Sequence, residues 1–168
     1  KVEEELTRLL RDSGLDAVAE VHGSASRGTW LAGEKDIDVF LILDPKYDRA
    51  TLKEALDVAK RYVGCGWIEA YAEHPYIQAF LDGFDVEFVP CFRVDPVKRL
   101  SSATDRTPLH TRFVNERLAP DQCDEVLLLK QFMRGIGVYG AEIKVGGFSG
   151  YLCELLVISL GSFKEIIE

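Results

Sequence analysis

The chain has 168 residues, 47% of them hydrophobic, with 28 acidic against 20 basic side chains and a formal net charge of −8. That length can bury one sizeable core and part of another. The negative balance makes the chain as a whole a poor non-specific binder of nucleic acid, because such binding rests on Lys and Arg neutralising phosphates, so any RNA contact must be local or completed elsewhere. The longest apolar runs, Val39 to Leu43 and Leu155 to Leu160, fall far short of the roughly 20 residues of a membrane span. No signal-peptide pattern opens the chain, so a cytoplasmic protein with no membrane partner is expected.

Residues 2–13 carry Val2, Leu6, Leu9 and Leu10 at helical spacing before Gly14, which predicts an opening amphipathic helix. Ala17 to Val21 reads as a strand running into the small-residue turn Gly23-Ser24-Ala25-Ser26-Arg27-Gly28, with a short helix there. Asp36 to Leu43 begins as alternation and becomes a continuous apolar run, the pattern of a central strand buried on both faces. Asp48 can cap a helix over residues 49–63, whose Leu52, Ala55, Leu56 and Ala59 form one apolar face. Trp67 to Ala72, Tyr76 to Leu81 and Asp85 to Phe92 are further strands, the last two joined by the tight turn Asp82-Gly83-Phe84.

From residue 95 the character becomes helical, with helices expected over 108–118 and 120–134, a glycine-rich stretch over 135–150, and one long apolar helix from Tyr151. A domain boundary is expected near residue 120. Lys98, Arg99, Arg106, Arg112 and Arg117 face only Asp105 and Glu116, which makes 98–117 a candidate RNA-facing stretch, or simply a solvated charged surface. Cys65, Cys91, Cys123 and Cys153 form no C-x-x-C pair, so reduced, mostly buried thiols are expected rather than a zinc or disulfide framework. Trp30 is expected to pack beneath the turn that precedes it, and His22 and His74 to be structural. Lys1 opens the chain in place of Met and the last stretch has no polar close, which predicts a piece of a longer protein.

The chemistry concentrates at Gly23-Ser24 and, after eleven intervening residues, Asp36-Ile37-Asp38. Residues two apart on a strand share a face, so Asp36 and Asp38 project side by side. Their mutual repulsion is relieved if they coordinate divalent cations, or if they simply sit solvated at a strand mouth. A third acid, Glu87, lies on another predicted strand, with Asp85 as its rival on the same face. Three such carboxylates suit two-metal phosphoryl transfer with Mg²⁺. Gly23 allows close backbone approach, and the turn it opens can aim N–H groups and the Ser24 hydroxyl at phosphate.

Gly23-Ser24-Ala25-Ser26-Arg27-Gly28-Thr29-Trp30-Leu31 followed by Asp36-Ile37-Asp38-Val39-Phe40 resembles the signature of the DNA polymerase beta-like nucleotidyltransferases. The Arg27-Gly28-Thr29-Trp30-Leu31 extension is similar to that of the archaeal, class I CCA-adding enzymes. Thr107-Pro108-Leu109-His110-Thr111 and Phe148-Ser149-Gly150-Tyr151-Leu152-Cys153-Glu154-Leu155-Leu156 resemble further motifs of that subfamily.

The resemblance implies an α/β (α+β) fold, with a palm-like mixed sheet flanked by helices over residues 1–119 and the start of a helical second domain over 120–168. It implies that Asp36, Asp38 and Glu87 hold two Mg²⁺ ions. It also implies that Gly23, Ser24, Arg27, His110, Lys130 and Tyr139 bind the nucleotide. The activity implied is addition of CMP and AMP from CTP and ATP to the 3′ end of tRNA, with pyrophosphate released; the family also leaves room for a homodimer of the longer protein. Two departures stand out: the third acid is Glu where Asp is commoner, and the chain is much shorter than such enzymes, so nucleotide binding without productive tRNA addition is one expected outcome. A minimal nucleotidyltransferase with another acceptor, or a nucleotide-binding module without catalysis, are the alternatives.

Overall fold

A computed structural model describes residues 1–71, 75–94, 106–141 and 145–168. It divides into two compact units, the first made of residues 1–23 and 35–109 and the second of 24–34 and 110–168.

In the first unit, α1 (Val2–Asp12), β1 (Ala17–His22), β2 (Asp36–Leu43), α3 (Arg49–Val63), β3 (Trp67–Tyr71), β4 (Pro75–Leu81) and β5 (Phe84–Phe92) build a five-stranded sheet in the order β1-β2-β5-β4-β3. The short α2 (Gly23–Arg27) follows β1 in the chain. β2 runs parallel to β5 and antiparallel to β1, while β4 is antiparallel to both β5 and β3. The sheet is mixed, as expected. Leu6 and Leu10 of α1 and Leu52, Ala55, Leu56 and Ala59 of α3 bury one face of it against Val39, Leu41, Leu43, Ile77 and Phe88. Phe40, Ile42 and Cys91 are buried on the other side of β2 and β5, so the continuous apolar run in β2 does mark a strand covered on both faces.

Local chemistry sets the boundaries. The Asp48 side chain accepts a hydrogen bond from Thr51 N at 3.2 Å and caps α3. Asp82 and Gly83 have φ of 50° and 91°, the positive pair that a two-residue type I′ hairpin requires, and Leu81 pairs with Phe84 across it.

The second unit contains the end of α4 (Arg106–Arg117), α5 (Gln122–Gly135), α6 (Gly150–Leu160) and α7 (Phe163–Ile167), around a core of Val126, Leu129, Met133, Cys153 and Val157. The single long helix expected from Tyr151 is instead two. Gly161, at φ 101°, ends α6, and the Ser162 hydroxyl accepts from Glu165 N to start α7. Phe148 N donates to Val138 O at 2.7 Å and Gly140 N to Phe148 O at 2.9 Å, pinning the backbone around Tyr139.

Further expectations are corrected by exposure. Trp30 is 40% exposed rather than packed away, and Cys65 is exposed while Cys91 and Cys153 are buried; none of the four is in a disulfide. His22 is buried, with its ring edge-on to Phe40 at 5.1 Å. Within the basic stretch, Arg112 donates to Glu116 at 2.9 Å and Arg117 lies 3.7 Å from the same carboxylate. Ala72, His74, Lys98, Arg99 and Asp105 lie outside the described residues. Among those described, no helix is long and apolar enough to cross a membrane.

Candidate nucleotide and metal site

The acidic set belongs to the first unit. Alternation along β2 and β5 sends Ile37, Val39, Val86 and Phe88 to the helix-covered face, which turns Asp36, Asp38, Asp85 and Glu87 together to the opposite one. The parallel register then sets Asp38 opposite Glu87 and Asp36 opposite Asp85. Gln78 of β4, opposite Glu87, donates its amide to Glu87 Oε1 at 2.6 Å, orienting that carboxylate from the far side. A cleft of about 330 Å³ on this face is lined by Asp36, Asp85, Glu87, Gln78, Ile68 and Phe80.

Gly23, where β1 ends, has φ 73°. A β-carbon built on it would lie 2.6 Å from Asp38 Oδ2, so this position needs glycine for its backbone conformation and for the carboxylate beside it.

An all-oxygen donor set on one sheet face is the chemistry that Mg²⁺ takes, with water and phosphate oxygens completing its shell. Among the described residues no three His, Cys, Asp or Glu side chains form a group that could hold an ion as they stand. The donor types therefore fit Mg²⁺ in a shell shared with phosphate, rather than in a cage made by the protein alone.

The cationic set belongs to the second unit and is mostly buried. Arg27, whose side chain is 7% exposed, donates from Nε to Glu154 Oε1 at 2.9 Å and from Nη1 to Thr111 Oγ1 at 3.0 Å. Thr29 Oγ1 donates to the same Glu154 oxygen at 2.5 Å, and the Thr29 carbonyl accepts from Lys130 Nζ at 2.6 Å. Lys130 and Glu154 are buried. Burial pushes the Lys130 ammonium below the usual lysine range, against the opposing pull of Glu154 and Glu34. Tyr139 is pushed well above the ordinary tyrosine value, first by burial and then by Glu34.

Lys130 Nζ and Tyr139 Oη converge on Gly150, each 3.2 Å from where a β-carbon would stand. The His110 ring stacks on Tyr151 at 4.2 Å and 9°. Ser24 O accepts from Thr29 N at 3.2 Å, closing the turn at α2.

Of the residues singled out from sequence, Gly23, Asp36, Asp38 and Glu87 thus lie together in the first unit, and Ser24, Arg27, His110, Lys130 and Tyr139 lie in the second. Glu154 and Thr111 were missed as partners of Arg27, and Thr29 as the residue that links Glu154 to Lys130. A signal for Glu154 existed: it is the only charged residue in an otherwise apolar helix, and a charge there demands a buried partner.

Residues 1–110 match the family model of the nucleotidyltransferase domain, and residues 124–168 that of the tRNA nucleotidyltransferase second domain. The CCA-adding enzyme of Pyrobaculum aerophilum is 45% identical over 169 residues, covering 100% of this chain and 40% of that protein. That of Methanothermobacter thermautotrophicus is also 45% identical, over 97% of this chain and 37% of that protein. That of Methanosarcina barkeri is 53% identical over 86% of this chain and 32% of that protein. The chain therefore spans about two fifths of the length of the first two relatives.

Among solved structures, an RNA terminal uridylyl transferase, Cid1, matches with a TM-score of 0.65 at 17% identity, over 93% of this chain and 44% of that one. CdnC of E. coli with ATP matches at 0.60 and 16% identity, over 99% of this chain and 60% of that one. At these identities the likeness concerns the fold. The mixed sheet, the acidic face on β2 and β5, and a family match covering residues 1–110 agree: the chain belongs to the nucleotidyltransferase domain family and is similar along its length to archaeal CCA-adding enzymes.

Proposed function

We propose that this chain is the catalytic part of a tRNA nucleotidyltransferase that adds CMP and AMP from CTP and ATP to the tRNA 3′ end, releasing pyrophosphate. The observation that carries the transferase reading is the register that sets Asp38 opposite Glu87, with Asp36 on the same face. Similarity to CCA-adding enzymes supports tRNA as the acceptor. Residues 1–119 form the nucleotidyltransferase head in this reading, and residues 120–168 begin a helical second domain.

Asp36, Asp38 and Glu87 are the residues that would hold two Mg²⁺ ions. Bound there, Mg²⁺ would supply charge neutralisation for the triphosphate and activation of the attacking hydroxyl. Gly23 keeps the backbone close to Asp38 without a side chain in the way. Ser24, Arg27, His110, Lys130 and Tyr139 would meet the triphosphate and ribose as cationic or hydrogen-bonding groups, with the His110 ring held flat against Tyr151. Positioning and charge stabilisation are the main work asked of such a site.

The test incubates the chain with Mg²⁺, labelled CTP or ATP and a tRNA lacking its terminal CCA, beside an Asp36→Ala/Asp38→Ala control and a nucleotide-binding titration. Incorporation that disappears in the control supports the full reading. Metal-dependent nucleotide binding without incorporation supports a competent head that needs more of the protein to hold tRNA. Neither binding nor incorporation sinks the assignment.

A further inference from the structure

Glu154 is the only charged residue of α6, and its side chain is fully buried. Moving a carboxylate and a guanidinium out of water costs several kcal/mol for each ion, and a well-packed hydrophobic pair in their place is often neutral or stabilising. Core packing alone therefore gives no reason for an acid at this position. What Glu154 does is visible in its bonds. A single oxygen, Oε1, receives both Arg27 Nε at 2.9 Å and Thr29 Oγ1 at 2.5 Å. Among the described residues Oε2 accepts no hydrogen bond.

The consequence for Arg27 is geometric. With Nε held by Glu154 and Nη1 by Thr111 Oγ1, the planar guanidinium can neither rotate nor slide, and neither bond uses Nη2. Thr29 extends the same restraint to a second cation. Its hydroxyl is tied to Glu154 and its carbonyl holds Lys130 Nζ at 2.6 Å. One buried carboxylate thus fixes Arg27 directly and Lys130 through Thr29, and all of these residues belong to the second compact unit.

We propose that Glu154 is a positioning residue for the polyphosphate of the substrate: it sets the orientation of the Arg27 guanidinium and, through Thr29, of the Lys130 ammonium. The inference rests on the reading that Arg27 meets the nucleotide's phosphates. It goes further in predicting that an acid which never touches substrate controls discrimination between a nucleoside triphosphate and a monophosphate. Preorganised donors bind more tightly because less freedom is lost on binding. That gain grows with the number of phosphate oxygens the donors meet.

The experiment measures CTP and CMP affinity by calorimetry in Mg²⁺ for the wild-type chain, Arg27→Ala, Glu154→Gln and the double variant, with thermal denaturation in parallel. Glu154→Asp joins the set because it keeps a buried charge but withdraws the oxygens by one methylene, and it carries the same comparison if Glu154→Gln does not fold. The expected result is that Glu154→Gln weakens CTP binding about tenfold, the order of one charge-assisted hydrogen bond. CMP affinity changes little, and the CTP loss shrinks when Arg27 is already Ala, leaving only the part that runs through Thr29 and Lys130.

Equal loss for CTP and CMP, or a CTP loss that is undiminished without Arg27, would overturn the proposal in favour of a purely architectural role. Wild-type CTP affinity in Glu154→Gln alongside weak binding in Arg27→Ala would overturn the proposal alone. An Arg27→Ala variant that binds CTP as the wild type does would remove the underlying reading of Arg27, and the proposal with it.

Discussion

A β-carbon built on Gly23 would lie 2.6 Å from Oδ2 of Asp38, closer than any side chain tolerates, and Gly23 itself sits at φ 73°. The turn after β1 and the acidic strand β2 are thus matched to each other atom by atom. Gly23→Ala should cost about 1–2 kcal/mol for the left-handed backbone conformation alone, and it should also displace the Asp38 carboxylate. Urea denaturation reads the first effect. A fall in Mg²⁺-dependent CTP affinity beyond what the stability loss explains reads the second, and unchanged affinity would mean that Asp38 has room to move.

The carboxylates of Asp36 and Asp38 project from one face of β2 toward Asp85 and Glu87 of β5. If they share Mg²⁺, the ion stabilises the folded chain by mass action, roughly 2.7 kcal/mol at one hundred times its dissociation constant. The wild-type melting temperature should therefore rise on titration with Mg²⁺ in the presence of CTP. Asp36→Asn/Asp38→Asn should melt at or above the wild-type temperature without metal, because two like charges are removed, and should show no rise with it. A double variant that still gained stability from Mg²⁺ would place the ion elsewhere.

Much of the fold was legible because local and global signals agree. The apolar run of β2 announced a strand buried on both faces, Asp48 announced the start of α3, and Asp82-Gly83 announced a hairpin. Periodicity also placed Asp36, Asp38, Asp85 and Glu87 on shared strand faces. It left open the register that puts Asp38 opposite Glu87, because strand pairing is a tertiary fact.

The break between α6 and α7 was written in Gly161 and in the capping box Ser162-Phe163-Lys164-Glu165, but the surrounding apolar run outweighed it. Glu154 stood out as a lone charge in an apolar helix, yet its partner Arg27 lies 127 residues away in sequence, and no local pattern names a partner at that separation.

Gly150 offers a separation of packing from function. As the first residue of α6 it would gain helix propensity on becoming Ala, at most about 1 kcal/mol. The new methyl would stand 3.2 Å from both Lys130 Nζ and Tyr139 Oη, inside ordinary van der Waals distance. Lys130 Nζ is already held by Thr29 O at 2.6 Å, so it yields only by giving up that bond. Gly150→Ala should keep the wild-type unfolding free energy, read by urea denaturation, to within about 1 kcal/mol while losing roughly tenfold in CTP affinity. Undiminished CTP binding would show that Lys130 and Tyr139 do not act on the nucleotide from this place.

Tyr139 gives the clearest dependence on pH. Burial, reinforced by Glu34, raises its hydroxyl well above the ordinary value of 10.0. In the unfolded chain the same group ionises near that ordinary value, so above about pH 10 the folded state holds a proton that the unfolded state has released. Stability carried by this group is therefore fully present below about pH 10 and is lost as the pH climbs toward the folded-state value. The buried Lys130 acts in the opposite sense: its lowered value means that the unfolded chain binds the extra proton between the two values, so stability rises with pH across that lower window.

Tyr139→Phe isolates the first effect, because it removes the ionisable group and leaves Lys130 in place. Urea denaturation across the alkaline range should show wild-type stability falling more steeply than that of Tyr139→Phe above about pH 10, with the two curves parallel below it. Curves that stay parallel throughout would mean that the Tyr139 hydroxyl reaches solvent in the folded chain and does not sit in the low-dielectric setting beside Gly150.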